Sequence, residues 1–585
     1  MEPFVRQRRL ARGQAAVLRL AAFLAMWVSW ACGAATEIIP ADRRVDWTPG
    51  VTVGVPGGIP TDRTHLIDVT QAPYNADKTG ATDARGAIQA AINAASKGDV
   101  VFLPAGTYRV DAQISVGPAR SHITIRGTGD ATVIDSHSPS VVFAVGSGSS
   151  WKWDHPLLPI TDGMTKGSAT LTVGDTAAFK VGQIVHITEL NDPALPVVHV
   201  KGFQRMRKQK TAVVSKTATT VTIFPPLYWT LKSSLSPLAT VAADQLNGFG
   251  IEDLKINGKN GKAHTLISLS QCYGCWIKNV HTTLAANYHI NLSDSLHCEV
   301  RHCYIDELNH AGPNGAGLLM GASSACLVED NIVFKCFPHL EINGGCSGNV
   351  FAYNFAENNF TYGIMGCAID CNHGAHNSFD LYEGNIASVF QSDGYHGSAS
   401  HITAFRNWFH GTCDTSEPKT DQFGRCVALN RFSRHFSVVG NILGRTGYTY
   451  IYDNADNGTG YADRYIYNLG LPNMGNGGFK GYAPPWKDSL TPTAPNGPGP
   501  GGYQELDRDV AATLIRKGNW NAKDAGVPAS ESLGSDPLPK SLFRATKPAW
   551  FGKLAWPPFD PSSPNQSYEA IPAGYRYRHG ADPPR

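Results

Sequence analysis

The chain has 585 residues, enough for two or three ordinary domains or for one continuous repeat body. Only 17% of its residues are charged and 60 are glycine, which speaks against a disordered or mainly helical chain. A formal net charge of +2 speaks against bulk nucleic-acid binding.

The first stretch carries Arg6, Arg8, Arg9, Arg12 and Arg19, then an apolar run from Leu20 to Ala31, then the small residues Gly33-Ala34-Ala35. This is the layout of a secretory signal. It sets the expectation of a signal peptide over 1–35, a mature chain from about Thr36, and a secreted or periplasmic protein. Three other readings remain: a membrane anchor, for which the apolar run is short, a lipoprotein box at Ser29 to Gly33, and a twin-arginine signal at Arg8-Arg9. No second long apolar run follows, so stable membrane insertion is not expected.

From Thr82 to Lys97 the spacing of Ala84, Ile88, Ala91, Ile92 and Ala95 predicts one amphipathic helix, with Thr82 and Asp83 as caps and Gly98 as its stop. Val100 to Leu103, Pro104-Ala105-Gly106 and Thr107 to Val110 then read as strand, turn and strand. Together with Asn75-Ala76-Asp77, Gly80 and Thr82-Asp83, this run resembles the opening segment of the pectate-lyase superfamily. The resemblance implies an all-β chain: a right-handed single-stranded parallel β-helix with an N-terminal helical cap, the cap and first coils lying over 60–160. Polygalacturonase-like hydrolases, lyases, exo-glucanases and viral tailspikes share that fold, and the opening motif does not choose among them.

Between 161 and 232 the texture changes to the alternating segments Thr170 to Val173, Ile184 to Ile187 and Thr220 to Phe224, which predict a small inserted antiparallel β unit. Its stretch Lys201 to Lys210 gathers Lys201, Arg205, Arg207, Lys208 and Lys210. This reads either as a loop overhanging a groove to hold an anionic chain or as a solvated loop tip.

Over 233–480, expected to be the main β-helix, short apolar strands recur and end on asparagine: Asn331, Asn354, Asn385, Asn407 and Asn441, at intervals of 23, 31, 22 and 34 residues. Earlier rungs fall at Trp276 to Asn279 and Val300 to Cys303. Coils of about two dozen residues with loops inserted on one face suit these intervals. The asparagines are expected to adopt the left-handed conformation at equivalent turns and to bond to one another along the stack. Apart from Cys32, every cysteine lies between Cys272 and Cys426, leaving an odd number. Cys413 and Cys426 flank a polar loop and suit a disulfide, whereas Cys326 and Cys336 sit in strand-like runs as buried thiols. Cys272-Tyr-Gly-Cys275 is half a zinc pattern without its other half, so no metal is expected. Segment 481–585 opens with a Pro/Gly-rich stretch, continues through a short helix from Asp507 to Lys517, and ends in an aromatic tail expected to pack on the β-helix.

A parallel β-helix has a filled interior, so chemistry belongs on an outer face. Glu341, Asp370 and Asp393 each close an apolar strand at nearly equal offsets ahead of Asn354, Asn385 and Asn407, which predicts a column of carboxylates on neighbouring coils, roughly 5 Å apart. Like charges that close push one pKa up, as a general acid requires. Asp370 and Asp393 are the first acid and base or nucleophile candidates, with Glu341 in reserve. His396, in Asp393-Gly-Tyr-His396-Gly397, resembles the Gly-His-Gly segment of polygalacturonases and joins the catalytic candidates, although the Asn-Thr-Asp, paired-Asp and Arg-Ile-Lys motifs of that family are missing. His373, His376, Tyr395, Arg406, Arg431, Arg434 and His435 are the substrate-binding candidates. The expected partner is a polysaccharide, with no nucleic acid, and the chain is expected to be a monomer without a cofactor. A glycoside hydrolase is the leading reading. The alternatives are a polysaccharide lyase acting on a uronic-acid polymer, in which carboxylates could bind Ca²⁺ and Arg or His remove a proton, and a non-catalytic carbohydrate-binding β-helix.

Overall fold

A computed structural model describes residues 38–147, 157–195, 197, 204–242, 244–260, 264–309, 315–359, 368–393, 396–412, 424–454, 464–470, 507–534 and 536–585. The expected signal peptide and the Pro/Gly-rich stretch 481–503 lie outside the described residues. Each coil lays down three short strands. One coil comprises Glu299–Arg301, Tyr304–Leu308 and Ala316–Gly321, and the next comprises Leu327–Glu329, Ile332–Phe334 and Leu340–Asn343. Equivalent strands pair in parallel from coil to coil: Glu299 with Leu327, Tyr304 with Ile332, Leu318 with Leu340. The architecture is a parallel β-helix with three faces.

Alternation of side chains along each strand decides which residues enter the interior. Ile277, Val300, Val328, Phe351, Tyr382, Ala404 and Val438 occupy one register position on successive coils, and all are buried. The Phe351 and Tyr382 rings stack with centroids 4.9 Å apart. Burying each large member of such a column stabilises the fold by roughly 1.5–3 kcal/mol.

The rung asparagines form a ladder at the corner between the first and second strands. The side-chain amide of Asn331 donates to Asn354 Oδ1 at 2.9 Å, Asn354 to Asn385 at 3.0 Å, Asn385 to Asn407 at 2.9 Å, Asn407 to Asn441 at 2.9 Å and Asn441 to Asn519 at 3.0 Å. The left-handed conformation belongs to the residue before each asparagine: Asp330, Tyr353, Gly384, Arg406, Gly440 and Gly518 all have positive φ. The preceding residue turns the chain, and the asparagine is thereby aimed along the stack. At Gly384 the turn also needs the missing side chain, because a Cβ there would stand 2.4 Å from the Tyr353 ring. The earlier rungs are offset by one: Asn279 and His302 hold the left-handed position, and Cys303 takes the place of the asparagine, its N–H donating to Asn331 Oδ1.

The N-terminal helix is shorter than its pattern suggests, Arg85–Ala94, because Thr79–Asp83 is drawn into a strand beside Gly106–Val110. Thr82 and Asp83 are therefore not its N-cap, although Asp83 Oδ1 still accepts from the Arg85 N–H. Ile88, Ala91 and Ile92 are its buried face.

A six-stranded antiparallel sheet runs in the order Leu158–Pro159, Leu238–Val241, Ile184–Thr188, Lys208–Lys216, Thr220–Phe224, Thr170–Thr172. It sits on the corner serines of the β-helix: the Lys210 N–H donates to Ser324 Oγ at 2.9 Å, and Ser347 Oγ donates to the Lys208 carbonyl at 3.0 Å. Arg207, Lys208 and Lys210 consequently do not overhang a groove. Arg207, Lys208 and Lys210 are buried; Lys210 Nζ lies 2.9 Å from Asp294, and Arg207 pairs with Glu189. Lys201 lies outside the described residues.

The tail covers the first two faces. Phe543, Phe551, Phe559 and Ile571 pack on Tyr353, Phe355, Leu381 and Trp408, and Arg544 forms a two-pronged ion pair with Glu329. The helix ahead of it is Arg508–Thr513 and not Asp507 to Lys517, because Ile515–Lys517 joins the sheet as a further rung. Cys426 is a free, buried thiol, and its expected partner Cys413 lies outside the described residues. Among the described residues no helix is long and apolar enough to cross a membrane.

Candidate active site

The third face is built on Thr265–Ser270, Tyr288–Ser293, Ala316–Gly321, Leu340–Asn343, Ile369–Asp370 and Phe390–Ser392. Leu340 and Ile369 anchor neighbouring strands by pointing into the core, which turns Glu341 and Asp370 outward in register with each other. On adjacent parallel strands such partners are roughly 4.8 Å apart at the backbone. The next coil presents Gln391, not Asp393, at this position. The expected column of three carboxylates is thus a pair followed by an amide, because Phe390 is the inward partner of Ile369 and the strand ends at Ser392, before Asp393.

Asp393 nevertheless returns to the group through a histidine. His373 Nδ1 lies 2.7 Å from Asp393 Oδ2, and one atom each from Asp370, His373 and Asp393 lie within 4.8 Å of one another. Asp393 is fully buried, Asp370 is 3% and Glu341 9% exposed, while the His373 side chain is 29% exposed and forms the most open part of the group. The Asn430 side-chain amide donates to the Asp393 carbonyl at 2.7 Å, and the Asn372 N–H donates to Asp370 Oδ1 at 3.1 Å. The His396 ring stands edge-on to His373, with centroids 5.2 Å apart.

Burial pushes the Asp370 carboxyl well above the usual carboxylate range, and the Asp393 charge adds to it. Burial also raises Glu341, to about 6, with the His373 charge opposing the rise. For His373 desolvation acts downward, but Asp393, Glu341 and Asp370 together outweigh it and hold the imidazole well above its usual pKa. The group is therefore a strongly raised carboxyl at Asp370, a less raised one at Glu341, and an imidazole held toward its charged form beside Asp393.

Asp370, His373 and Asp393 form the only grouping among the described residues whose atoms are close enough to share a metal ion. Two carboxylates and one histidine are a donor set that a divalent cation could use. The set carries no feature beyond proximity that asks for an ion.

Of the remaining sequence candidates, several serve the fold. Arg406 donates to the Pro539 and Phe559 carbonyls at 2.9 and 2.7 Å, pinning the tail on another face. Arg434 pairs with Asp507 and Asp509 at 3.1 Å each, which ties down the helix Arg508–Thr513. His435 stacks on His401 at 5.1 Å, which stacks on Phe379 at 5.0 Å, in a corner column. His376 is buried at the same type of corner, its Nδ1 3.4 Å from Ser398 Oγ, and burial pushes its pKa down to about 3. Arg406, His376 and His435 stand at left-handed turns and Arg434 directly precedes one, so nearness to the carboxylates in sequence does not bring them to the same side of the coil. Arg431 is buried directly after Asn430, the residue bonded to Asp393. Tyr395 lies outside the described residues. Gln391, Asn372 and Asn430 were missed; Gln391 could have been found by aligning the inward residues Ile369 and Phe390, and no signal singles out the two asparagines.

Residues 69–170 match the family described as rhamnogalacturonase A/epimerase, pectate lyase-like. No curated protein matches the chain. Similar solved structures include the tailspike of Pseudomonas phage phi297, 13% identical over 71% of this chain and 65% of its own, with a TM-score of 0.47. Another tailspike, from Pseudomonas phage LKA1, is 14% identical over 68% of this chain and 66% of its own, with a TM-score of 0.46. An alginate lyase from Paenibacillus sp. str. FPU-7 is 13% identical over 69% of this chain and 98% of its own, with a TM-score of 0.36. The chain spans less than two thirds of the length of both tailspikes. The family match over residues 69–170 agrees with the pectate-lyase-like opening segment.

Proposed function

We propose that this protein hydrolyses the glycosidic bonds of a polysaccharide, with Asp370 as general acid and Glu341 as its carboxylate partner. The observation that carries this reading is the register pairing of two outward carboxyls on adjacent coils whose pKa values are driven apart. Asp370, the more strongly raised, keeps its proton to higher pH than Glu341 and is the one that can deliver it to the leaving oxygen; Glu341, held lower by His373, ionises first.

Close carboxyls, about 5–5.5 Å apart, suit a displacement in which the carboxylate attacks the anomeric carbon, while separations of about 6.5–9.5 Å leave room for a water between them. The adjacent-strand placement favours the first. Glu341 then forms a bond to the sugar as the glycosidic bond breaks and Asp370 protonates the leaving oxygen; water, deprotonated by Asp370, releases the sugar and frees Glu341. His373, oriented by Asp393, keeps Glu341 charged.

The test is incubation of the protein with neutral and acidic polysaccharides, following new reducing ends and the ultraviolet absorbance of unsaturated uronates. Reducing ends without absorbance, lost in Asp370→Asn and Glu341→Gln, are expected. Both signals together would mean elimination in place of hydrolysis.

A further inference from the structure

Among the described residues, the strands that lead to the carboxyl pair from the N-terminal coils carry no basic side chain. The strands Val141–Gly146, Thr265–Ser270, Tyr288–Ser293, Ala316–Gly321 and Leu340–Asn343 contain no Lys or Arg, and Glu341 is their sole carboxylate. Their outward positions align coil on coil. Ala144, Ser268, Asn291, Leu319 and Glu341 form one column, and Gly146, Ser270, Ser293, Gly321 and Asn343 form the next. Ser268, Asn291, Leu319, Ser293, Gly321 and Asn343 are half-buried, so they form a floor that is partly open to solvent.

Tyr288 borders this floor. Its ring meets His264 edge-on at 5.4 Å, and His264 Nε2 is in turn 2.9 Å from the Asn287 side-chain amide, which fixes the pair. Burial raises the Tyr288 phenol and the Glu341 charge raises it further, which sets the tyrosine within electrostatic reach of the carboxyl pair.

These features discriminate between substrate classes. A uronate polymer brings one negative charge per sugar, and moving such charges against a protein surface costs free energy unless cations meet them. The floor's strands offer no Lys or Arg, and the one basic group at their end, His373, is already engaged with Asp393 and Glu341. Serine and asparagine side chains both donate and accept, as sugar hydroxyls do, and a held tyrosine ring gives an apolar face for the C–H side of a sugar.

Resting on the hydrolase reading above, we infer that the substrate is an uncharged glycan, which runs from Glu341 and Asp370 over Leu319, Asn291 and Ser268 with Tyr288 beside it. Arg207 and Lys210 of the antiparallel unit do not serve it, being buried in ion pairs with Glu189 and Asp294.

The experiment compares dextran, xylan, galactan and mannan with polygalacturonate, alginate and hyaluronan. It reads reducing ends with the wild-type protein and retention on polymer-containing native gels with Asp370→Asn. Cleavage of a neutral polymer and of none of the acidic ones is expected. Tyr288→Ala should raise KM about tenfold with kcat nearly unchanged, and Asn291→Lys should lower kcat/KM on the neutral polymer, both with wild-type unfolding midpoints. Cleavage confined to acidic polymers, or a gain in turnover on them in Asn291→Lys that exceeds the neutral rate, overturns the inference and leaves the hydrolase reading standing. If nothing is cleaved but neutral polymers retard Asp370→Asn, the hydrolase reading fails and the neutral floor stands. Retardation by acidic polymers alone, or by none, overturns the inference.

Discussion

His373 Nδ1 lies 2.7 Å from Asp393 Oδ2, so the most exposed member of the site is held by its most buried one. Asp393 has no open path to a substrate, but it charges and orients the ring that faces one. In Asp393→Asn the His373 pKa is expected to fall, observable by NMR titration of the imidazole, and kcat/KM to fall by roughly 10²-fold or more, as when a catalytic histidine loses its orienting carboxylate. A wild-type imidazole titration in this variant would remove Asp393 from the site.

The pH–rate profile should be bell-shaped. Activity needs Glu341 ionised and Asp370 protonated, so it should rise through about pH 6, where Glu341 loses its proton, and fall at higher pH as Asp370 does. The two limbs belong to the interacting pair and not to either residue alone. Glu341→Gln and Asp370→Asn should each cost roughly 10²–10⁴-fold in kcat, with circular dichroism unchanged.

Glu383 gives a stability prediction independent of catalysis. It is buried, accepts from the Leu542 N–H and the Tyr353 hydroxyl, and burial raises it to about 7. A carboxyl raised in the folded state binds its proton there while the unfolded chain has lost it. Its contribution is therefore fully present below about pH 4.5 and is lost as pH rises through 7. Relative to wild type, Glu383→Gln should become more stable between pH 5 and pH 8, by roughly 3 kcal/mol, as read from urea midpoints.

The asparagine ladder should be brittle. Asn385→Ala leaves the Asn354 N–H and side-chain amide, the Phe351 carbonyl and part of Asn407 without their partners in a buried corner. Unsatisfied buried groups cost about 1–3 kcal/mol each, so a loss of roughly 3 kcal/mol or more is expected in thermal or urea unfolding.

Arg406 distinguishes a structural from a substrate role. Arg406→Met should free the segment around Leu538 to Phe559 for limited proteolysis while leaving KM for any cleaved polymer unchanged. A raised KM with an undisturbed tail would return Arg406 to the site.

Recurrence of apolar strands ending on asparagine, together with the opening motif, sufficed for the parallel β-helix, because every coil must bury the same kind of residue and close with the same turn. The one-residue error in the turn, left-handed at Asp330 or Tyr353 and not at the asparagine after it, arose because both positions are polar or variable in sequence. Glu341 and Asp370 were legible as neighbours since the strands that carry them share an inward leucine and isoleucine. Asp393 was not, because equal offsets along a chain equal adjacent positions in space only if the loops between them are equal. The histidines and arginines were the least legible, for their residue types fit chemistry as well as packing. Composition and periodicity determined that this chain coils and stacks; the tertiary structure alone decided which side of each coil a polar residue faces, since that depends on corner geometry and on the segments that fold back to cover two of the three faces.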